Sequence, residues 1–196
     1  MLGFLVGLPI AATPGPMFFL VLRRTLGRGW RGGLVSGMGI ATGDGIYATV
    51  AAFGISAVIN LLVQQRRWIG LIGGLAIVAL GMRTLLRSPL AGSPPRVGEG
   101  ASAYLSTLGL TLANPPTVLS FLGVFAGLGV HVASGWVPAA ALVAGVTVGS
   151  ACWWVLFTAV VAALRTRLSN NVARAIGIVS GLALIVFGGL ITLQSL

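Results

Sequence analysis

Residues 2–22 read LGFLVGLPIAATPGPMFFLVL, an apolar run interrupted at its middle by Thr13-Pro14-Gly15-Pro16. A helix needs about 20 mostly apolar residues to cross a bilayer, so the length fits a span. The interruption does not fit an unbroken helix. Each proline lacks an amide hydrogen and pushes its predecessor toward extended geometry, while the glycine frees a turn. Unwound backbone at membrane depth is tolerated only where protein buries it or where it lines a cavity. The stretch therefore predicts a helix in lipid that breaks for a purpose. No basic region precedes it and more apolar runs follow, so it reads as a retained first helix rather than a signal peptide.

Five further runs lie at about Leu34–Val63, Ile69–Leu86, Tyr104–Gly129, Val137–Leu164 and Ala175–Leu193. The expectation is an all-α integral membrane protein of six helices, forming a single transmembrane domain over residues 1–196. Composition agrees. Hydrophobic residues make up 57% of the chain and charged residues 7%, with a mean hydropathy of +1.04. Soluble domains carry roughly 25% charged residues, which excludes a soluble enzyme, a secreted domain or a disordered chain. Membrane lipid is the expected main partner. The net charge of +10 comes from arginines clustered between apolar runs, as the positive-inside rule expects, so no nucleic-acid partner is expected. The second run is too long for a straight span, and Gly43-Asp44-Gly45 is its expected breaking point. Spacings of GxxxG, at Gly33/Gly37, Gly70/Gly74, Gly145/Gly149 and Gly177/Gly181, suit close helix packing. They leave a homodimer and a compact monomer both open.

Residues 88–103 read as a polar linker that holds Glu99 and separates two halves, 1–87 and 104–196. The halves resemble each other. Ile69–Gly81 and Ile176–Gly188 share six of thirteen residues at an offset of 107. Pro14 and Pro16 in the first helix have counterparts at Pro115 and Pro116 in the fourth. Gly43-Asp44 has a counterpart at Gly149-Ser150, at an offset of 106. A repeat of three helices enters the membrane from opposite sides in its two copies, so the expectation is two inverted three-helix repeats with helices one and four broken at their proline motifs. Arginines concentrate after helices one, three and five; only Arg66 and Arg67 lie on the other side. That places the odd connections in the cytoplasm and both termini outside.

Thr13-Pro14-Gly15-Pro16 and Asn114-Pro115-Pro116 are therefore candidate substrate-binding breaks. Thr or Asn before Pro is a good helix start. Each break is expected to begin a half-helix whose amides attract a carboxylate. Asp44 is the only acid inside an apolar run, where its presence costs about 2.5–3.5 kcal/mol on insertion scales. It is a candidate proton carrier or amine ligand, with Tyr47 one turn away as its hydrogen-bond partner. The plainer reading is a structural hydrogen bond at a broken helix. Trp153 and Trp154 follow Gly149-Ser150 and are candidate cavity walls, with Trp153 the candidate substrate contact. Trp30, Trp68 and Trp136 flank helix ends as interface anchors. His131 in a short connection is expected to face solvent. One cysteine, one histidine and two acids give no catalytic constellation, no metal site and no sign of a cofactor.

Thr13-Pro14-Gly15-Pro16, the arginines from Arg23 to Arg31, Gly43-Asp44, Asn114-Pro115, Gly149-Ser150 with its aromatic pair, and Arg165–Arg167 together resemble the LysE-type amino-acid exporter family over nearly the whole chain. The resemblance implies a small inner-membrane exporter of amino acids or related metabolites, driven by the proton gradient. It also implies functional roles for Pro14, Gly15, Pro16, Asp44, Asn114 and Pro115. One departure matters: family members commonly carry Asn-Pro-Lys in helix four, and Pro116 stands here in place of the lysine. Protons and a small amino-acid-like substrate are then the expected partners. A passive channel for ions or small solutes is the alternative, and a membrane-embedded enzyme is disfavoured by the missing constellation.

Overall fold

The computed structural model describes residues 1–53, 61, 64–86, 99–127 and 135–196. For Glu99, Pro115, Leu119, Leu122, Phe125–Gly127 and Asn170 it describes the backbone alone. The linker residues 88–98 and His131 lie outside the described residues. The elements are α1 (Leu2–Ala12), α2 (Pro16–Ala52), α3 (Arg66–Leu86), α4 (Glu99–Leu112), α5 (Pro115–Gly127), α6 (Trp136–Arg165) and α7 (Asn170–Gln194). No strand occurs among the described residues. Three helices are long and apolar enough to cross a membrane, and the pair α1 and α2, bent by 75° at its break, passes the same test. The protein is a multi-pass helical membrane protein. Its outward side chains, such as Ile72, Leu156, Val179 and Val186, are large and apolar, as a lipid-facing surface requires.

Three boundaries differ from the sequence reading. The connection after the first span is helical apart from Gly29, whose φ of 75° and ψ of −174° put a sharp turn inside α2. Glycine takes that conformation without the strain a Cβ would add. Arg23, Arg24 and Arg28 consequently ride on a helix, not in a loop. Gly43-Asp44-Gly45 does not break: the helix runs through it. Its glycines serve close approach instead, Gly43 to Thr111 and Gly45 to Thr147. The linker is shorter than expected at its far end, because α4 already begins at Glu99.

Lipid tails are as apolar as leucine, so helices associate here by close packing and interhelical hydrogen bonds. Helix α1 lies on α6, and α4 lies on α2. A methyl group at Gly3 or Gly7 would run into the carbonyls of Leu142 and Val146. On the other side, Thr107 Oγ1 donates to the Ser36 carbonyl at 2.8 Å and Tyr104 Oη to Thr42 Oγ1 at 2.8 Å. Arg24 joins the same contact by donating to Ser36 Oγ, the Ala103 carbonyl and Ser106 Oγ at 2.8–2.9 Å. Helix α2 also packs on α6, and α3 on α7. Gly74 faces Gly188, and Gly81 faces Gly181.

Candidate functional site

The chain ends α1 at Ala12 and restarts at Pro16, and it ends α4 at Leu112 and restarts at Pro115. Both interruptions open onto one cavity of about 310 Å³. Thr13, Pro14, Gly15, Pro16, Asp44 and Asn114 all line it. Sites separated by a hundred residues in the chain thus converge on a volume at the lower end of the range for small-molecule pockets.

The two helix starts are chemically unequal. At α2 the cap is Gly15, without a side-chain cap, and Pro16 stands at the first helical position. Phe19 already bonds the Gly15 carbonyl at 3.4 Å. The amides of Met17 and Phe18 are the orphan donors that a helix start leaves. Thr13 does not cap this helix: it terminates α1, and its hydroxyl donates back to the Pro9 carbonyl at 3.1 Å. At α5 Asn114 holds the cap position but its side chain does not cap: the Asn114 carbonyl accepts from the Thr117 and Val118 amides at 3.0 and 3.3 Å, the helix's own first bonds. Pro115 and Pro116, at the first two positions, have no amide hydrogen to offer. The second start therefore presents no free amide, so of the two starts expected to attract a carboxylate only α2 has amides to offer one. What the second break offers is side-chain chemistry. Asn114 is buried, its Nδ2 donates to Thr117 Oγ1 at 2.8 Å, and its Oδ1 has no partner.

Asp44 is 3% exposed. Its Oδ2 accepts from Ser150 Oγ at 2.6 Å, joining α2 to α6. No basic side chain bonds it among the described residues. Tyr47 is not its partner: the Tyr47 hydroxyl donates to the Leu112 carbonyl at 2.7 Å, closing off the end of α4. Trp153 does not line the cavity. It stacks on Phe157 with ring centroids 6.1 Å apart, and Phe157 in turn meets the lining residue Phe18 at 4.6 Å. The lining tryptophan is Trp154, whose Nε1 has no partner. Of the two tryptophans the sequence offered as walls, Trp154 is the one at the cavity, and sequence reasoning missed Ser150 as partner. Signals for both were present: Ser150 lies at the sequence offset of 106 from Asp44, and Trp154 lies one helical turn beyond Ser150 on the same face. Phe18, Phe187 and Ile191, which complete an apolar wall, carried no sequence signal, because every span is rich in such residues. No group of three His, Cys, Asp or Glu side chains lies together among the described residues.

A cavity at two helix breaks, with one buried carboxylate and one free helix start, can bind a small molecule carrying both charges. The family model for the LysE type translocator matches residues 8–195. The chain belongs to that family. It is 24% identical over 192 residues to the Bacillus subtilis protein named "Putative amino acid efflux protein YcgF", covering 93% of this chain and 90% of that one. It is 28% identical over 126 residues to the leucine efflux protein of Salmonella typhimurium, covering 62% and 59%. It is 26% identical over 155 residues to the threonine efflux protein of Salmonella typhi, covering 74% and 66%. These relatives are named as efflux proteins, not enzymes. No solved structure matches the chain.

Proposed function

We propose that this protein is a secondary active exporter that carries amino acids out across the bacterial cytoplasmic membrane in exchange for protons. The observation that carries the reading is the convergence of both helix breaks and Asp44 on one cavity. The family and the efflux proteins among its relatives support amino-acid export over the passive-channel alternative. In this reading the substrate carboxylate sits at the start of α2, against the Met17 and Phe18 amides, where the helix dipole favours an anion. The ammonium group goes to Asp44. When the substrate leaves, Asp44 takes a proton, and the neutral carboxyl group lets the empty carrier return.

The architecture we propose is six spans in two inverted repeats, 1–87 and 104–196, with both termini outside. Helices α1 and α2 up to Gly29 form a broken first span, and α4 with α5 a broken fourth. Contacts favour this arrangement. In each half the leading half-helix packs on the long helix of the other half, α1 on α6 and α4 on α2. Repeat counterparts meet at Asp44 and Ser150. Gly74 and Gly81 have Gly181 and Gly188 as counterparts, and the contacts are crossed, Gly74 to Gly188 and Gly81 to Gly181. Such reciprocity is what a two-fold axis produces.

The test is efflux from bacteria lacking their own amino-acid exporters and loaded with dipeptides. Wild type should release one class of amino acid faster than vector cells. Asp44→Asn, a near-isosteric change that cannot ionise, should lose at least about tenfold of uphill export, a loss of 1.4 kcal/mol or more in driving the step. Full gradient-dependent export by Asp44→Asn would refute the proton-carrier role.

A further inference from the structure

The lining of the cavity contains more information than its two polar ends. Apart from Asp44, none of the residues lining it is charged. Arg24 spends its guanidinium on Ser36, Ala103 and Ser106. A zwitterionic amino acid brings one positive and one negative group, and Asp44 with the α2 start accounts for both. A third charge, on the side chain, would enter the cavity without a counter-charge. Burying an unpaired charge is far more costly than burying an apolar group. The rest of the wall has neutral polar groups, Asn114, Thr117, Ser120 and Gln194 among them, and a larger apolar face suited to an apolar group. Phe18, Ile40, Phe187 and Ile191 line it, and Phe18 and Phe187 are held from behind by Phe157 and Phe19, with centroids at 4.6 and 6.1 Å. The wall is thus braced by ring contacts rather than free to fold away.

We propose that the cavity selects neutral amino acids with apolar side chains of leucine or methionine size, and that Phe187 and Ile191 set the upper size limit. This rests on the exporter reading, and the experiment separates the two. The full chain is purified, reconstituted into proteoliposomes and assayed for counterflow of radiolabelled leucine, with unlabelled amino acids as competitors. Leucine, isoleucine and methionine should compete at similar concentrations. Lysine, arginine, glutamate and aspartate should each need at least about tenfold more, the scale on which a pocket discriminates a mismatched group. Equal competition by lysine or glutamate would overturn the selectivity while leaving the exporter intact. Absence of counterflow for leucine, together with uphill movement of a charged amino acid, would do the same. Absence of counterflow for every amino acid would overturn both. Phe187→Leu should shift the ratio of phenylalanine to leucine competition toward phenylalanine by about fivefold or more, within the range of one to a few methylenes. Ile191→Ala reads the same ratio in the same direction, should the first variant not reach the membrane. An unchanged ratio in a variant that still transports leucine would remove these residues from the size limit.

Discussion

At the first break the chain runs Thr13-Pro14-Gly15-Pro16, and at the second it runs Ala113-Asn114-Pro115-Pro116. Both stop one helix, start another and face the same cavity. The first spaces its prolines around a glycine, so a single proline enters the new helix and two amides behind it stay free. The second stacks both prolines into the first two helical positions, and the Asn114 carbonyl takes the next two amides. The first break is open, with Thr13 and Pro14 exposed, while Asn114 is 4% exposed. A shift of one proline by one position thus separates a helix start with two free amides from one with none. The two breaks are not chemically equivalent, and under the proposed exporter reading that difference suits an asymmetric, zwitterionic substrate.

The comparison is broken most directly by making the first break resemble the second. Met17→Pro removes one of the two free amides while proline remains tolerated in the first helical turn. A hydrogen bond to a charged group contributes about 1.5–3 kcal/mol, so the half-saturating leucine concentration in counterflow should rise roughly tenfold to a hundredfold. Met17→Ala, which keeps the amide and removes the same side chain, is the control and should have a much smaller effect. Equal losses in both variants would mean that the side chain matters and the amide does not.

Asn114→Ala sharpens the other side of the comparison. The Asn114 carbonyl keeps its two backbone bonds, so the helix start survives. The variant loses the Nδ2 bond to Thr117 Oγ1, and one such hydrogen bond contributes about 0.5–1.5 kcal/mol of stability. Thermal unfolding in detergent should therefore register a modest drop. If the unpaired Oδ1 contributes to holding the substrate ammonium, leucine binding should weaken severalfold beyond what the stability loss explains. An unchanged affinity would confine the Asn114 side chain to its bond with Thr117.

Much of this site is legible in sequence because breaks are costly in lipid. Prolines inside an apolar run, and one acid among them, stand out against a uniform background. Asp44 and Ser150 stand at matching places in the two halves of the sequence, though nothing in the sequence said that they pair. The remainder was hidden by that same uniformity. A helix that is apolar all round has no stripe to show which side faces its neighbours, so Trp153 and Trp154 could not be told apart, nor the direction of the Tyr47 hydroxyl. The unbroken course of α2 through Gly43-Asp44-Gly45 follows from packing. Thr111 and Thr147 press on the two glycines, and a glycine that permits close approach looks in sequence like one that permits a bend. The turn at Gly29 posed the opposite difficulty. It sits among arginines that suggested a loop, yet it is one residue with positive φ inside otherwise helical backbone.

The smallest effect is expected where the second break is made to resemble the first. Pro116→Ala returns an amide hydrogen to the second position of α5. If donors at a helix start were all that mattered, this variant would gain a second carboxylate site and bind substrate more tightly. The dipole at that end is already engaged by the Asn114 carbonyl, which accepts both following amides. The wall there also presents Asn114, Thr117 and Ser120 rather than an open helix end. Alanine is a better helix former than proline by about 3 kcal/mol in a helix interior, but this difference nearly vanishes in the first turn. Leucine affinity should stay within about twofold of wild type, below the approximately 0.5–1.5 kcal/mol of one ordinary hydrogen bond. A gain of tenfold would mean that the two breaks share the carboxylate after all, and that only the proline at position 116 keeps them apart.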